Sequence, residues 1–568
     1  MKKRQITNTI IFGIILFLSS CTNEPKQNHS EDAKNMQPIF QKLSPSESGI
    51  TFSNNLKEDS VINYFTYPYI YMGGGVAIGD FNNDGLQDIY FTGNMVSNKL
   101  FLNKGNLNFE DITDISGTGG DSRWATGATT ADVNADGWLD IYVSVSGKFA
   151  TTKNMLFINN GLNNNGIPTF TEGAEKRGIA DEGHNTQGVF FDYDKDGDLD
   201  LYVANYPPTH FKTPNYSYQI FIEKKAPEKS DKLYQNNGDG YFKDITKEAG
   251  LLNFGLSLSA TVGDFNQDGW DDIYVSNDFA TPDYFYINNG DGTFTDKIKE
   301  ATKHTAYFGM GADAADFNND GLLDILQMDM TPADNRRNKA NMASMNIPAF
   351  WEIVSMGMHY QYMQNTLQLN NGTDQNGLPH FSDISRLAGM SSTDWSWAAL
   401  FADLDNDGWK DVFITNGTRR DINNKDYFKK IEKASYQVKK SFKKLDLTLN
   451  MPSEKVGNYA YKNNGDLSFT SIIKDWGLAH EGFTNGAAYA DLDNDGDLDM
   501  VINNIDEPAI VFKNKTSDLN AGNYLRFKLT GSDKNLFGIG TKILLKNKNQ
   551  IQYQELTLSR GFQSSVEP

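Results

Sequence analysis

Cysteine is almost absent from this sequence of 568 residues: the one copy, Cys21, excludes any disulfide bond within the chain. Basic residues are a minority, since 52 Lys and Arg stand against 73 Asp and Glu, so we expect no nucleic-acid partner. The seven histidines show no zinc spacing such as His-Glu-x-x-His, and neither a Gly-x-Ser-x-Gly elbow nor a P-loop occurs. Without a catalytic constellation, we predict a protein that is not an enzyme.

What the sequence has in abundance is one acidic pattern of nine residues, written seven times. Positions 1, 5 and 9 are Asp, position 3 is Asp or Asn, and position 6 is Gly, which tolerates the positive φ of a tight turn. Hard oxygen donors at alternate positions suit Ca²⁺, so we predict up to seven structural calcium ions. The predicted ligands are Asp80, Asn82, Asp84 and Asp88; Asp132, Asn134, Asp136 and Asp140; Asp192, Asp194, Asp196 and Asp200; Asp264, Asn266, Asp268 and Asp272; Asp316, Asn318, Asp320 and Asp324; Asp403, Asp405, Asp407 and Asp411; and Asp491, Asp493, Asp495 and Asp499.

Two alternatives to this interpretation are an EF-hand and a metal-free hairpin turn. An EF-hand needs an acidic residue at position 12 and flanking helices, but no copy has an acid there, and a short apolar β-rich run follows each loop. A metal-free Asp-Gly turn would explain one copy more easily than seven copies with the same four ligand positions. The loops place 24 carboxylates at ligand positions (4 × 3 + 3 × 4), which accounts for most of the net charge of −21.

The spacing of the loops predicts a ring of similar units. Successive copies begin 52, 60, 72, 52, 87 and 88 residues apart, as expected for a repeat of about 50 residues with insertions. Each unit reads as strand A, metal loop, strand B, connection, strand C, hairpin and strand D. Seven such units predict an all-β fold, a seven-bladed β-propeller over residues 39–515, in which residues 40–52 close the ring by joining the last blade.

The N-terminus has the features of an export signal. Lys2, Lys3 and Arg4 precede an apolar run at residues 10–18 that is too short to span a membrane. The following Leu-Ser-Ser-Cys resembles a bacterial lipobox, which implies a signal peptide at residues 1–20, a lipid anchor to the membrane at Cys21 and a polar tether over residues 21–38. An ordinary cleaved signal peptide is the alternative. Thr22 rather than Asp follows Cys21, so we expect the outer membrane or cell surface, with a periplasm-facing orientation left open.

The repeat resembles the FG-GAP/VCBS-type repeat of integrin α-subunit propellers, in which the same Asp-rich loop binds calcium. Residues 520–568 are similar to the ASPIC/UnbV module, notably at Asn535, in the Gly538-Ile539-Gly540 turn and in the segment at residues 561–565. This combination resembles bacterial proteins related to the cartilage acidic protein group. Because the family pattern continues past this segment, we expect a small, incomplete C-terminal β module.

The predicted topology separates two faces. All seven metal loops join strands A and B on one face, whereas long B–C insertions at residues 205–232, 328–365 and 417–460 lie on the other. We therefore expect an unidentified glycan, matrix or protein ligand on the insertion face, and an adhesion role. An accessory subunit or enzyme of polysaccharide uptake or degradation is the alternative. Five residues at the predicted channel mouth either pack the channel top or bind this ligand: Trp124, His184, Phe308, Trp395 and Phe483.

Overall fold

In a computed structural model of the chain, the described residues are 37–121, 123–147, 151–209, 213–342, 346–438, 442–519, 522–532, 534–547 and 550–568. Residues Ile39–Pro568 form one compact unit. Its strands form the predicted seven-bladed propeller, each blade being an antiparallel sheet with its strands A to D in order. The signal peptide, Cys21 and most of the tether predicted from the sequence lie outside the described residues.

Each blade consists of four β strands of three to eight residues. Blade 1 contains Val76–Gly79, Asp88–Phe91, Lys99–Asn103 and Phe109–Asp111; blade 2, Ala125–Ala131, Asp140–Val145, Met155–Leu162 and Pro168–Glu172; blade 3, Asn185–Phe191, Asp200–Asn205, Lys232–Asn236 and Phe242–Asp244; blade 4, Ser257–Gly263, Asp272–Asn277, Tyr284–Asn288 and Phe294–Asp296. Blade 5 contains Ala312–Ala315, Asp324–Gln327, Thr366–Thr373 and Pro379–Asp383; blade 6, Ser396–Ala402, Asp411–Asn416, Tyr459–Asn463 and Phe469–Ser471; blade 7, Thr484–Ala490, Asp499–Asn504 and Ile510–Asn514, with Phe40–Lys42 as its strand D.

The ring closes as predicted. Phe40–Lys42 pairs antiparallel with Ile510–Asn514, so that the start of the propeller completes its last blade. Each strand A contacts strand A of the next blade all the way around the axis. Strands A and B are almost entirely buried on both faces, and this continuous burial explains why their sequences read as apolar runs with little alternation.

Helices occur mainly in the B–C insertions. The insertion of blade 3 contains Asn215–Lys224 and the 3₁₀ turn Pro227–Lys229; that of blade 5 contains Asn335–Asn341 and Ile347–Ser355; that of blade 6 contains Lys425–Val438 and Lys444–Leu449. Short helical turns follow four of the D strands at Pro45–Ser48, Thr113–Ser116, Ala174–Arg177 and Ile298–Ala301. Two-residue strand pairs join Thr305–Ala306 to Gln361–Tyr362 and Val456–Gly457 to Glu481–Gly482. No helix in the described part of the chain is long and apolar enough to cross a membrane.

Residues 56–72, which we name the strap, cross the insertion face over the channel mouth. The Tyr67 hydroxyl hydrogen bonds to Ser146 of blade 2. The Tyr69 hydroxyl donates to Asp278 of blade 4 at 2.5 Å. Glu58 accepts hydrogen bonds from the guanidinium groups of Arg419 and Arg420 of blade 6. Polar contacts to three blades therefore hold the strap across the axis.

The C-terminal region closes the axis from the metal-loop face. The antiparallel pair Lys542–Lys546 and Ile551–Glu555 lies against the metal loops, where Lys542 Nζ contacts Asp264 at 2.8 Å. The chain then enters the channel as a tight hairpin of Ser559–Arg560 and Ser564–Ser565, which we name the axial hairpin. Its last strand runs parallel to strand A of blade 1 and extends that sheet.

The axial hairpin explains the small residues of the inner strands. A Cβ at Gly75 would lie 1.7 Å from the Gln563 carbonyl oxygen, and one at Gly311 would lie 2.9 Å from that of Gly561. The Arg560 guanidinium forms a buried ion pair with Asp313, in which Nη1 lies 3.0 Å from Oδ1. The axial hairpin is therefore packed within the propeller core, whereas the strand pair that precedes it lies on the metal loops.

Candidate functional site

Each metal loop begins as a turn closed by its first Asp. In blade 2, Asp132 Oδ1 accepts the backbone N–H of Asp136 at 3.0 Å, and Oδ2 accepts that of Gly137 at 2.8 Å. The residue at position 4, here Ala135, has a φ of 54°, and Gly137 has a φ of 86°. Position 1 therefore fixes the turn, while the position-5 carboxylate, here Asp136, accepts the backbone N–H of Trp138 at 3.0 Å.

The Asp at position 9 is the most buried of the predicted ligands. In blade 1, Asp88 is fully buried, and its Oδ1 and Oδ2 accept the backbone N–H groups of Asn103 and Phe81 at 2.8 and 3.0 Å. Burial raises the pKa of Asp88 well above its usual range, although these hydrogen bonds oppose the shift, and the nearby carboxylates of Asp80 and Asp84 add to it. A nearby cation would relieve this cost of burying charge.

Three loops bring carboxylates together closely enough to hold a cation. The groups Asp192, Asp194 and Asp200, then Asp403, Asp405 and Asp411, and finally Asp491, Asp493 and Asp495 each present oxygens within 4.8 Å of one another. Several of these oxygens are buried without a hydrogen-bond donor, among them Asp192 Oδ1, Asp405 Oδ1, Asp491 Oδ1 and Asp493 Oδ1. Buried acceptors without a donor, drawn only from hard oxygen groups, fit calcium.

The four loops with Asn at position 3 are arranged differently. The Asn Nδ2 donates to the position-5 carboxylate, as in Asn82 to Asp84 at 2.8 Å and Asn134 to Asp136 at 2.9 Å. The same bond joins Asn266 to Asp268 and Asn318 to Asp320. In these four loops an amide therefore takes the place of the position-3 carboxylate and donates to position 5.

An Asn in strand C of every blade was not predicted as a functional residue. In blade 3, Asn236 Nδ2 donates at 3.1 Å both to the Leu199 carbonyl of its own metal loop and to the Val133 carbonyl of the blade 2 loop. The same two contacts recur in all seven blades. An Asn recurs in the sequence of every unit just before the C–D hairpin, and this repetition could have identified these residues. They are Asn103, Asn159, Asn236, Asn288, Asn370, Asn463 and Asn514.

Position 4 of the metal loops provides a second inter-blade link that was not predicted. Asn83 Nδ2 donates to the Gly137 carbonyl of the next loop at 3.0 Å, and Asn494 Nδ2 donates to that of Gly85 at 2.9 Å. Gln267, Asn319 and Asn406 make the same contact. Lys195 instead lies over the Trp270 ring at 4.1 Å. Only Ala135 cannot bridge to the next blade, so this belt of loop contacts is broken between blades 2 and 3.

The five residues predicted at the channel mouth occupy unequal environments. Trp124 and Phe483 are buried beneath the strap, and Tyr67 packs edge-on against Trp124 at 5.5 Å. The other three are partly buried. The ring centroid of Trp395 lies 6.1 Å from that of Trp397, and the ring centroid of Phe308 lies 5.5 Å from that of Phe279. The backbone N–H of His184 donates to the side-chain oxygen of Asn205.

The insertion face also exposes apolar side chains that were not singled out from the sequence. Helices Asn215–Lys224 and Ile347–Ser355 contact each other, and Asn215 donates to Glu352 at 2.9 Å. Each helix presents an exposed apolar pair at i and i+4. With Phe279 and Tyr360, these pairs form what we name the insertion patch, consisting of Tyr216, Ile220, Phe279, Ile347, Trp351 and Tyr360, which are 39–64% exposed.

Two known families match parts of the chain. The FG-GAP-like repeat matches residues 80–143, 225–275 and 264–326, which include metal loops of blades 1, 2, 4 and 5. The family described as ASPIC and UnbV matches residues 531–568, including the axial hairpin. FG-GAP-like repeats and an ASPIC and UnbV domain are therefore found in this chain.

The FG-GAP-repeat propeller is also homologous to cartilage acidic protein 1. It is 23% identical to the Homo sapiens protein over 445 residues, which cover 75% of this chain and 54% of that protein. It is 25% identical to the Xenopus tropicalis protein over 497 residues, which cover 84% and 64%. The chain thus spans less than two thirds of the length of these relatives. The fold is also similar to a solved structure of an Agrocybe aegerita lectin, described as recognising non-reducing terminal N-acetylglucosamine. The match has a TM-score of 0.34 and 18% identity, and it covers 76% of this chain and 85% of the lectin chain.

Proposed function

We propose that this FG-GAP-repeat propeller is a non-catalytic, calcium-stabilised binding protein of the adhesion type, which contacts its ligand through the insertion patch. Lipidation at Cys21 would hold it at the bacterial outer membrane or cell surface, with the metal-loop face and the insertion face both carried on one rigid disc. The FG-GAP repeats and the homology to cartilage acidic protein 1 support a binding role in general.

The observation that carries this proposal is the exposed chemistry of the insertion patch. Trp351 and Ile347 are 56% and 64% exposed on one helix, and Tyr216 and Ile220 are 55% and 54% exposed on its neighbour. Clustered large apolar groups on a soluble surface mark interaction sites, and Trp and Tyr are enriched among residues that dominate binding energy. The aliphatic members favour a protein ligand over a sugar, because sugar rings stack on flat aromatic faces.

Calcium has a structural role in this proposal. The residues that would hold it are those at positions 1, 3, 5 and 9 of each loop. In blades 2, 3, 4, 6 and 7 they include buried oxygens without donors, which fit a hard divalent cation. When bound, calcium supplies positive charge that offsets the clustered carboxylates. The loops themselves contribute the fixed turn, through the backbone hydrogen bonds to the first Asp, and the links to neighbouring blades.

A binding screen with matched variants tests the proposal. The protein, immobilised in calcium, is screened against a panel of extracellular matrix proteins, cell-surface proteins and glycans. We expect a protein ligand whose affinity falls at least tenfold in Trp351→Ala and Ile347→Ser. Leu387→Ala is the control, because Leu387 is 68% exposed but lies outside the patch. Equal loss in the control, or full binding by both patch variants, would overturn the assignment.

A specific feature favours a second candidate, glycan binding in an uptake complex. An open cleft of about 940 Å³ lies between blades 1 and 2. Its polar lining includes Lys99, Asp111, Asp121, Arg123 and Glu172, which offer donors and acceptors to hydroxyl groups. A glycan hit in the same screen that is lost in Asp121→Ala and kept in Trp351→Ala would favour this cleft over the insertion patch.

A further inference from the structure

The metal loops fall into two classes by the residue at position 3. Blades 1, 2, 4 and 5 have Asn there, whereas blades 3, 6 and 7 have Asp194, Asp405 and Asp493. The second class therefore contains a fourth carboxylate among its ligand positions. Four carboxylates within a few ångströms repel one another strongly unless a nearby positive charge compensates them.

A residue of strand C changes together with position 3 in all seven blades. The residue directly before the strand C Asn is apolar where position 3 is Asn: Leu102, Ile158, Ile287 and Leu369. It is polar where position 3 is Asp: Gln235, Lys462 and Lys513. This agreement within one chain indicates that the two positions are matched to each other.

The structure shows the contact behind this match. Lys513 Nζ lies 2.6 Å from Asp493 Oδ2 and 3.6 Å from Asp495 Oδ2. Lys462 Nζ contacts Asp405 and lies 2.6 Å from Asp407 Oδ2. Gln235 Nε2 donates to Asp194 Oδ2 at 2.7 Å. Each strand C side chain therefore binds the position-3 carboxylate of its own blade, and both lysines also reach position 5.

These contacts leave the inner side of the loops free. While Lys462 and Lys513 contact the Oδ2 atoms, Asp405 Oδ1 and Asp493 Oδ1 are buried without a donor. Asp491 of the same blade 7 loop is 5% exposed, and its Oδ1 is likewise without a donor. The lysines thus bind the outer side of the carboxylate clusters and leave oxygens available to a cation within the loop.

In the Asn class, the position-5 carboxylate receives its donor from within the loop. Asn318 Nδ2 donates to Asp320 Oδ2 at 2.8 Å, the same oxygen that Lys462 reaches at the equivalent Asp407. The lysine therefore replaces the amide donor that is lost when position 3 becomes Asp, and adds one positive charge. Counted over the four ligand positions and the strand C residue, the loops of blades 6 and 7 then carry −4 + 1 = −3, the same as each Asn loop.

We propose that Lys462 and Lys513 are built-in counter-charges of their metal loops, which offset the fourth carboxylate that these loops present to Ca²⁺. Gln235 plays the hydrogen-bonding part of this role in blade 3, where the positive charge comes from Lys534 of the C-terminal region, 3.1 Å from Asp198. The inference rests on the calcium binding in the proposed function. These residues are positioning residues for the metal loops, since they act through the carboxylates.

Blade 6 is the place to test this, because its loop contacts Lys462 but, unlike the loops of blades 3, 4 and 7, no basic side chain of the described C-terminal region. The readout is hydrogen exchange of the full chain, followed by mass spectrometry of peptides covering residues 403–411 at increasing calcium concentration. The calcium concentration at half-maximal protection reports on this loop alone, and the other six loops serve as internal references.

Lys462→Leu removes the counter-charge, so we expect the half-maximal calcium concentration at residues 403–411 to fall about tenfold. Asp405→Asn alone leaves the lysine in excess and raises that concentration by a similar factor. The double variant restores the Asn–apolar pairing of the other class and returns to within about threefold of the wild type. Lys429→Leu, which makes the same change in net charge on the insertion face, leaves the concentration unchanged.

The reciprocal change is available in blade 5. Asn318→Asp adds an uncompensated carboxylate and is expected to lower the half-maximal calcium concentration at residues 316–324, whereas adding Leu369→Lys reverses this effect. An unchanged or higher concentration in Lys462→Leu, or a double variant that stays far from the wild type, overturns the counter-charge. Wild-type loops that show no calcium-dependent protection at all overturn the calcium role itself, which is a different result.

Discussion

Ala135 lacks the side-chain donor that links the other metal loops to the next blade, so replacing it with Asn should stabilise the propeller. Every position-4 residue has a φ between 54° and 60°, a left-handed conformation that Asn adopts more readily than Ala. Five of the seven loops use this position to donate a hydrogen bond to the Gly carbonyl of the next loop. Ala135→Asn would place the same donor beside the Gly197 carbonyl and close the belt between blades 2 and 3.

The expected gain in the free energy of unfolding is about 1–2 kcal/mol. Relief of the left-handed Ala contributes up to about 1 kcal/mol, and a hydrogen bond at the surface contributes about 0.5–1 kcal/mol. The shift in Tm is the change in free energy divided by the entropy of unfolding, which grows by about 2 cal/mol/K per residue, so a rise of about 1–2 °C is expected for the unit Ile39–Pro568.

Thermal melts of four proteins in calcium separate these two contributions. Ala135→Gly relieves the backbone without adding a donor, so Ala135→Asn should melt higher than Ala135→Gly by the value of the hydrogen bond. Asn83→Ala makes the opposite change in blade 1 and should melt lower than the wild type. The reasoning is refuted if Ala135→Asn melts at or below the wild-type temperature, or no higher than the Gly variant.

Three further changes have defined outcomes. Chelation of calcium should lower Tm by on the order of 10 °C, because clustered carboxylates lose their counter-ion, and an EDTA-insensitive melt would contradict the calcium assignment. Asn236→Ala leaves the carbonyls of two adjacent loops without their donor and should cost about 3 kcal/mol in a denaturant titration, whereas the exposed neighbour Asn237→Ala should cost little. Gly75→Ala places a Cβ 1.7 Å from the Gln563 carbonyl and should speed hydrogen exchange across residues 558–566; Gly457→Ala, with no atom within 4 Å, should not.

The fold could be predicted because its signals are local and repeated. The seven metal loops, the apolar strand after each and the C–D hairpin together indicated four strands per unit, and the structure confirms the seven-bladed propeller with a small C-terminal β region. Pairing of Phe40–Lys42 with the last blade was also predicted, because this segment resembles the D strands of other units. Repetition makes such patterns reliable, since each copy tests the others.

The remaining features depend on contacts between segments far apart in the chain. Neither the strap nor the axial hairpin has a periodicity of its own, so their positions across and within the channel were not accessible from local patterns. The burial of Trp124 beneath Tyr67 is one consequence. The pairing of Lys462 with Asp405 was visible in principle, but only after strand C of each blade had been aligned with its metal loop. Calcium occupancy and lipidation of Cys21 stay predictions.

The axial hairpin also constrains how this protein folds. Val76 in the first strand of blade 1 bonds to Ser564, 488 residues later, and this contact lies at the centre of the ring. A chain emerging from a ribosome can therefore form all seven blades while the residues that fill their common axis are still being synthesised. Contacts of such long range slow folding, so we expect the final step to be a late insertion of the hairpin into a preformed ring. During that interval the inner strands are exposed to water, and the nascent propeller is at its most vulnerable to aggregation.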